Sequence, residues 1–338
     1  MRILITALGG DLGQSLAKTA RLSRTSWKVF GSDCRRSGIG RCFVDAFFCL
    51  PPASDRKAYE KALVRLCQKE KIAAVIPASE IEIRTLAESF EDRILPGGAK
   101  VIVQPFVWLS VYGDKLRCMQ SLLGKVALAA YADGGDLKAV KHLAEHVGFP
   151  LVVKPRLLSG SRSVQIARTP AELELYLAKT DRPLVQEYLE GVDGEFSVGV
   201  YRACTFTTLI AFRRDLGPVG CSWFAETDPD PEVLDYSEKL VSATGLKGAA
   251  NFQIRKTSKG ARLLEINPRF SSLVMARALC GFKDLEWALA EAFGKAVRLP
   301  RAPYKKLRFQ RFFHEMVDDG QGYRSPFGFS KRGALRLL

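Results

Sequence analysis

The sequence predicts an α/β chain, with a doubly wound, Rossmann-like unit at the amino-terminal end and an α+β part built round a β-hairpin. Three observations carry this. Apolar strand runs and helical runs alternate through residues 1–113, as they do in parallel doubly wound sheets. Two runs of period-two alternation, 251–255 and 263–267, flank Ser258-Lys259-Gly260, a turn with glycine available for a positive φ. The 338 residues also exceed one ordinary core and suit two or three domains of about 100–200 residues each.

Residues 2–7 form the first buried strand, Gly9-Gly10-Asp11-Leu12-Gly13 a tight turn, and 14–22 the first helix. A second strand, 28–32, ends at Asp33. Gly9, Gly10 and Gly13 followed by Asp33 form a partial dinucleotide fingerprint, which keeps a nicotinamide-dependent oxidoreductase among the function classes. Residues 43–47 read as a short strand, 55–70 as a helix, 73–78 as a strand and 81–90 as a helix. Pro77-Ala78-Ser79-Glu80 sits at a strand's carboxyl end, where ligands of such sheets gather, so Glu80 is a candidate substrate contact. Ser79 serves equally well as a helix cap.

The pattern changes at residue 114. Asp114 caps a helix running to Leu123 and places Lys115 in its first turn. A helix over 136–147 precedes the apolar run 151–155, whose Lys154-Pro155 delivers an ammonium at a strand end, suited to phosphate. The small, basic loop that follows includes Gly160 and Ser161, whose backbone N–H groups suit phosphate oxygens. In the run 184–191 a strand enters a hinge that offers backbone polar groups, with Tyr188 and Leu189 as apolar walls. Antiparallel strands over 196–201 and 205–213 lead to Arg213-Arg214, a fork for a phosphate or carboxylate or else a solvated surface pair. The final helix spans 282–293.

A hairpin turn centred on Lys259 sets Gln253 opposite Glu265 and Asn251 opposite Asn267, with opposed Cβ atoms about 5 Å apart. Alternation puts Leu264 and Ile266 on one face and Glu265 and Asn267 on the other. Carboxylate and amide oxygens so clustered suit Mg²⁺, which takes such ligands at about 2.0–2.1 Å and fills its other positions with water and phosphate oxygens. Pro268 ends the strand and Arg269 follows at its rim, placed to stabilise charge on a transferring phosphoryl group.

Asn251-Phe252-Gln253, then Leu264-Glu265-Ile266-Asn267-Pro268-Arg269, then Ser271-Ser272 before a helix, resembles the metal-binding hairpin of the ATP-grasp superfamily, nearest to the carbamoyl phosphate synthetase large subunit and the short carboxylate-amine ligases related to it. The resemblance implies an ATP-grasp fold with an N-terminal Rossmann-like pre-ATP-grasp domain that binds no nicotinamide. It implies Mg²⁺, or Mn²⁺ as a substitute, on Gln253, Glu265 and Asn267. ATP would lie against Lys115, Lys154, Gly160, Ser161, Glu187, Tyr188, Leu189 and Glu195, with Arg269 and Lys154 catalytic and Glu80, Arg213 and Arg214 toward the acceptor. The implied reaction is ligation of a carboxylic acid to an amine through an acyl phosphate, with small acids, amino acids or a peptide or carrier protein as partners and a homodimer as the assembly. Many ligases of the superfamily carry an acidic residue where this chain has Gln253. The implied domains are 1–113, 114–299 (114–183 and 184–299) and a basic, aromatic segment 300–338.

Lys and Arg outnumber Asp and Glu by 51 to 36, and the segment 300–338 alone holds nine basic and three acidic residues. No zinc-finger, RNA-recognition or basic-zipper pattern accompanies that charge, which disfavours nucleic acid as the partner and leaves a phosphate-rich ligand or an acidic protein. A non-catalytic nucleotide-binding module is the remaining alternative class. The eight cysteines show no Cys-x-x-Cys spacing and read as reduced thiols, and His142 and His146 lack companion ligands. No run is apolar enough to span a membrane, and the amino terminus reads as a strand turning into glycines rather than a signal peptide, so a cytoplasmic location is expected.

Overall fold

Five short apolar runs pair in parallel at the amino-terminal end. They are β1 (Arg2–Ile5), β2 (Lys28–Asp33), β3 (Ala46–Cys49), β4 (Ala74–Ile76) and β5 (Lys100–Val101), in the order β3-β2-β1-β4-β5. Helices α1 (Asp11–Leu22), α2 (Arg56–Glu70) and α3 (Glu80–Ser89) connect them. The computed structural model describes residues 1–36, 39–157, 164–204, 206–217, 220–301, 303–312, 317–318 and 323–324. The strand expected over 43–47 starts later, at Ala46, because the Asp45 carboxylate accepts the Val29 N–H at 2.7 Å and an Arg21 N–H at 2.9 Å, closing a turn before the sheet. Strand order reverses between β1 and β4, so the ligand crevice expected of such a sheet opens at their carboxyl ends. The helix expected from residue 14 begins at Asp11, so Gly13 lies in the first turn of α1, where a Cβ would stand 2.4 Å from the Ala7 carbonyl oxygen.

Helices α4 (Phe106–Tyr112) and α5 (Lys115–Leu122) lead to an antiparallel sheet of β6 (Tyr131–Asp133), β7 (Leu151–Pro155), β8 (Gln165–Ala167) and β9 (Pro183–Glu187), ordered β6-β9-β7-β8. Helices α6 (Leu137–Val147) and α7 (Pro170–Lys179) supply its core with Val140, Leu143 and Leu173. β9 therefore closes this smaller sheet, although 184–187 reads from sequence as the opening of the next unit.

The third sheet is antiparallel, formed by β10 (Glu195–Ala203), β11 (Phe206–Leu216), β12 (Ser222–Thr227), β13 (Gly248–Thr257), β14 (Gly260–Asn267) and β15 (Arg308–Gln310), in the order β14-β13-β10-β11-β12-β15. Helix α8 (Pro231–Thr244) covers one face, where Val233, Tyr236 and Leu240 pack on Phe196, Val198, Phe252, Ile254, Leu263 and Ile266. At one end of the opposite face lie α9 (Val274–Cys280) and α10 (Asp284–Ala292), packed on Tyr201, Ile210 and Phe212. The basic segment after residue 300 docks on this body through β15, whose Phe309 pairs with Ala225, and through Tyr304, whose ring meets Phe282 at 5.5 Å. A short hairpin, β16 (Val317–Asp318) with β17 (Tyr323–Arg324), follows, while Phe313, Phe327 and Phe329 lie outside the described residues.

The amino-terminal unit shares a core with this last sheet. Leu12 and Leu16 of α1 pack with Phe270, Val274, Leu285 and Leu289, and the Ser15 hydroxyl donates to the Ser272 carbonyl at 2.7 Å. Beneath α9 the guanidinium of Arg277, fully buried, donates to the fully buried Asp284 at 3.2 Å and to the Asn251 side-chain oxygen. Gly199 pairs with Asn251 and makes room for this arginine, because a Cβ at Gly199 would stand 2.5 Å from Arg277 Nε. Among the described residues no helix is long and apolar enough to cross a membrane. Replacing Arg277 with Ala strands a buried carboxylate and is expected to cost about 3–5 kcal/mol, read as a lowered urea midpoint at unchanged m.

Candidate active site

The hairpin places its polar residues as the sequence arithmetic expects, by a different route. The turn itself is Ser258-Lys259, with Thr257 opposite Gly260 and Ile254 opposite Leu263, and a bulge at Leu264 then restores Gln253 opposite Glu265 and Asn251 opposite Asn267. Because a bulge inserts one residue into the alternation, Leu263 rather than Leu264 shares the α8 core with Ile266. Leu264, the bulged residue, has no register partner on β13, and its carbonyl accepts the Lys154 ammonium at 3.1 Å.

Lys115 pairs with Glu265, and Lys154, from a separate element, stands beside it on the Leu264 carbonyl. Asp114 caps α5 by accepting the Leu116 and Arg117 N–H groups, at 3.0 and 3.3 Å, so Lys115 leaves the first turn toward β14 and its Nζ lies 3.2 Å from Glu265 Oε2. Asp114 is in turn gripped by both arms of Arg156, at 3.0 and 2.8 Å, and the Lys115 N–H donates to the Arg156 carbonyl at 3.1 Å. This lashes α5 to the end of β7, which carries Lys154. The Lys154 ammonium, buried, donates to Gln186 Oε1 on β9 at 2.7 Å. Burial brings its pKa down to about 8, the adjacent Lys115 charge adds to that, and Glu265 opposes both. Burial raises the Glu265 carboxyl, but Lys115 and Lys154 pull harder and hold it below the usual carboxylate range. Asn267 Nδ2 donates to the other Glu265 oxygen at 3.1 Å.

These residues fit a phosphate ester with a hard cation. Gln186 Nε2 is buried with no hydrogen-bond partner, a donor left over beside the lysines. Among the described residues no three His, Cys, Asp or Glu side chains cluster to hold a metal. A cation at this hairpin would therefore rest on the Glu265 carboxylate with the amide oxygens of Gln253 and Asn267. Asn251, grouped with them by alternation, is drawn away, since its oxygen accepts from Arg277 and from the Ser197 hydroxyl at 2.8 Å. The cysteines are free thiols, and His146 bonds the His142 carbonyl one turn back.

The nucleotide-side candidates separate into two groups. Glu187 ends β9, donating its N–H to the Ala130 carbonyl at 2.8 Å and accepting the Ala130 N–H on its carboxylate at 3.1 Å, while Lys259 stands 3.8 Å away. Tyr188 is partly exposed, Leu189 is buried, and the Leu189 carbonyl accepts from Arg255 at 3.1 Å. Glu195 opens β10 between two arginines, Arg214 at one oxygen and Arg255 at the other, the latter at 2.9 Å. Gly160 and Ser161 lie outside the described residues.

Arg213 and Arg214 do not form one fork. Being consecutive in β11 they point to opposite faces. Arg214 is buried on the Gln253–Glu265 face and tied to Glu195 and Ser222, whereas Arg213, opposite Phe196, turns to the other face and pairs with Glu226 and Asp228. That removes Arg213 from the site and commits Arg214 to its scaffold. Glu80 does reach it, 3.2 Å from Arg269, although Ser79 is also the α3 cap. Asp33, the ribose ligand of a nicotinamide reading, spends its oxygens on the Gly9 and Arg35 N–H groups, at 2.8 and 2.9 Å. Sequence reading missed Gln186, Arg156 and Arg255. Arg156 directly follows Lys154-Pro155, and Gln186 lies within the strand already singled out, so their positions carried a signal but their partners did not.

Residues 179–313 match the family described as ATP-grasp in the biosynthetic pathway with Ter operon, and residues 3–102 match the PylC-like N-terminal domain. The carbamoyl phosphate synthase large chain of Thermus thermophilus is 30% identical over 149 residues, which is 39% of this chain and 14% of that protein, so the chain spans only a small part of that relative's length. In three dimensions it is similar to N5-carboxyaminoimidazole synthetase from Staphylococcus aureus, with a TM-score of 0.67 at 16% identity over 88% of this chain and 78% of that one. It is also similar to an L-amino acid ligase from Bacillus licheniformis, with a TM-score of 0.66 at 18% identity over 86% and 73%. These structural neighbours share the ATP-grasp fold. Replacing Glu265 with Ala leaves the two lysines facing each other without their carboxylate, and a loss of about 1–3 kcal/mol is expected, measured by urea unfolding at neutral pH.

Proposed function

Because the chain belongs to the ATP-grasp superfamily, we propose that it is an ATP-dependent ligase that joins a carboxylic acid to an amine. The observation that carries this is the Lys115–Glu265 pair with the buried Lys154 ammonium beside it on the Leu264 carbonyl, Glu265 sharing a face with Gln253 and Asn267. Two cations of which one is fully desolvated, an unsatisfied amide donor and a single carboxylate make a site for a polyphosphate with its counter-ion and not for a neutral ligand. The match to an L-amino acid ligase supports carbon–nitrogen bond formation as the outcome.

Glu265, with Gln253 and Asn267, would hold Mg²⁺, and Mn²⁺ meets the same oxygens; bound there, the ion would neutralise phosphate charge. Lys115 and Lys154 hold phosphate oxygens of ATP. The backbone groups at Glu187, Tyr188 and Leu189 receive the base, and Glu195, fixed by Arg214 and Arg255, faces the ribose end. A substrate carboxylate oxygen bonds to the γ-phosphorus as the bond to ADP breaks, giving an acyl phosphate. The amine then bonds to the acyl carbon, loses a proton, and expels phosphate. Arg269, anchored by Glu80, stabilises charge that develops on both the phosphoryl group and the acyl oxygen. Glu80 on the amino-terminal crevice and Arg269 on the hairpin rim thus put the acid where both units meet.

ADP release from ATP and Mg²⁺ across paired acids and amines tests this. Release that needs both partners, stops with EDTA and falls by at least about 10³-fold in Glu265→Ala is expected. Arg269→Ala is expected to lower kcat by about 10²–10³-fold with ATP affinity retained, whereas Lys154→Met loses ATP affinity itself. Tight ATP binding without release in any pair would leave a non-catalytic nucleotide-binding module.

A further inference from the structure

Arg269 also lines a cavity of about 350 Å³ between the carboxyl ends of β4 and β5, the start of β13, residues 268–270 and α10. Pro77, Ile83, Ile102, Ala249, Phe270 and Ala288 give it an apolar side, and Gln104 and Arg269 a polar one. Of its other charged residues Asp92, Arg93, Lys247 and Glu291 are exposed and Lys100 is half-buried, so charge of both signs stands at the solvent side. Glu291 is held there by the hydroxyl of the buried Tyr201 at 2.8 Å.

The space has a packing cause. Ala249 and Ala288 each touch both the core under α1 and the core under α10. Two methyl groups where larger side chains would fill the seam leave it open, and Gln104, which spans from the first unit to the Lys247 and Ala249 carbonyls at 2.7 and 2.8 Å, props the walls apart. At about 350 Å³ the cavity stands near the low end of ligand pockets, roughly 300–1,000 Å³. A mouth with both signs of charge offers no selection by net charge, and the apolar side of the interior selects by bulk.

We propose that this cavity receives a compact aliphatic side chain of the acid substrate, aliphatic amino acids included, with its carboxylate at Arg269. Placing the reacting carboxylate at Arg269 rests on the ligase reading, while the preference of the cavity for aliphatic bulk does not. Burying methylenes in it should raise affinity about fourfold for each, and Ala288 and Ala249 set the size limit.

Calorimetric titration of the full chain with L-alanine, L-leucine and L-aspartate, in the presence of a non-hydrolysable ATP analogue and Mg²⁺, reads the cavity without turnover. Leucine should bind at least tenfold tighter than alanine, and aspartate weakest. Ala288→Leu, which fills the space, should erase the leucine preference by tenfold or more while raising Tm, and Ala249→Val should do the same in part. Equal binding of the three acids, no binding of any, or a leucine preference that survives in a folded Ala288→Leu would overturn the assignment. Leucine binding that vanishes in Ala288→Leu, with no amine yielding ADP release, would sustain the cavity and refute the ligase. Amide formation indifferent to Ala288→Leu would do the reverse.

Discussion

At Glu265 two ammonium groups and one carboxylate share a small, poorly hydrated space where the hairpin, α5 and β7 meet, and the carboxylate offsets one of the two positive charges. Lys115 lies 3.2 Å from the carboxylate, and Lys154 finds Gln186 and the Leu264 carbonyl. Alone, a desolvated lysine shifts toward its neutral form, and beside Glu265 the shift of Lys154 stops at about 8. A carboxylate alone would shift the other way. Together each keeps its charge, and the site enters the folded state already polarised for an anion.

The scaffold keeps that arrangement in place with further ion pairs set one shell back. Arg156 fixes Asp114 and with it the direction in which Lys115 leaves α5. Arg214 and Arg255 close on Glu195 from neighbouring strands. Under α9, Arg277 draws the Asn251 oxygen away from the hairpin's open face and ties it to Asp284. The first joins a helix to a strand of another layer, the second ties three adjacent strands of one sheet, and the third joins α9 and α10 to β13, so the site's geometry is held by desolvated charge as well as by the apolar face under α8.

Where the amino-terminal unit meets the large sheet, packing is continuous on one side and open on the other. Leu12, Leu16 and Phe270 close the seam under α1, whereas Ala249 and Ala288 leave it unfilled beside Arg269. The same junction therefore supplies rigidity and room, and Glu80 bridges it by its contact with Arg269.

Local chemistry made much of this legible from the chain alone. Alternation and a turn with glycine set Gln253 against Glu265, a capping aspartate placed Lys115 in a first turn, and an apolar run ending in Lys-Pro placed Lys154 at a strand end. Such features depend on neighbours within a few residues, so one sequence contains them. Contacts between distant segments were decided only in three dimensions: the bulged Leu264 whose carbonyl meets Lys154, the facing of Arg213 away from the site, the capture of Asn251 by Arg277, and the membership of β9 in the smaller sheet. Each turns on which surface packs opposite a residue, and side-chain type says what a residue can bind but not which partner the folded chain brings within reach.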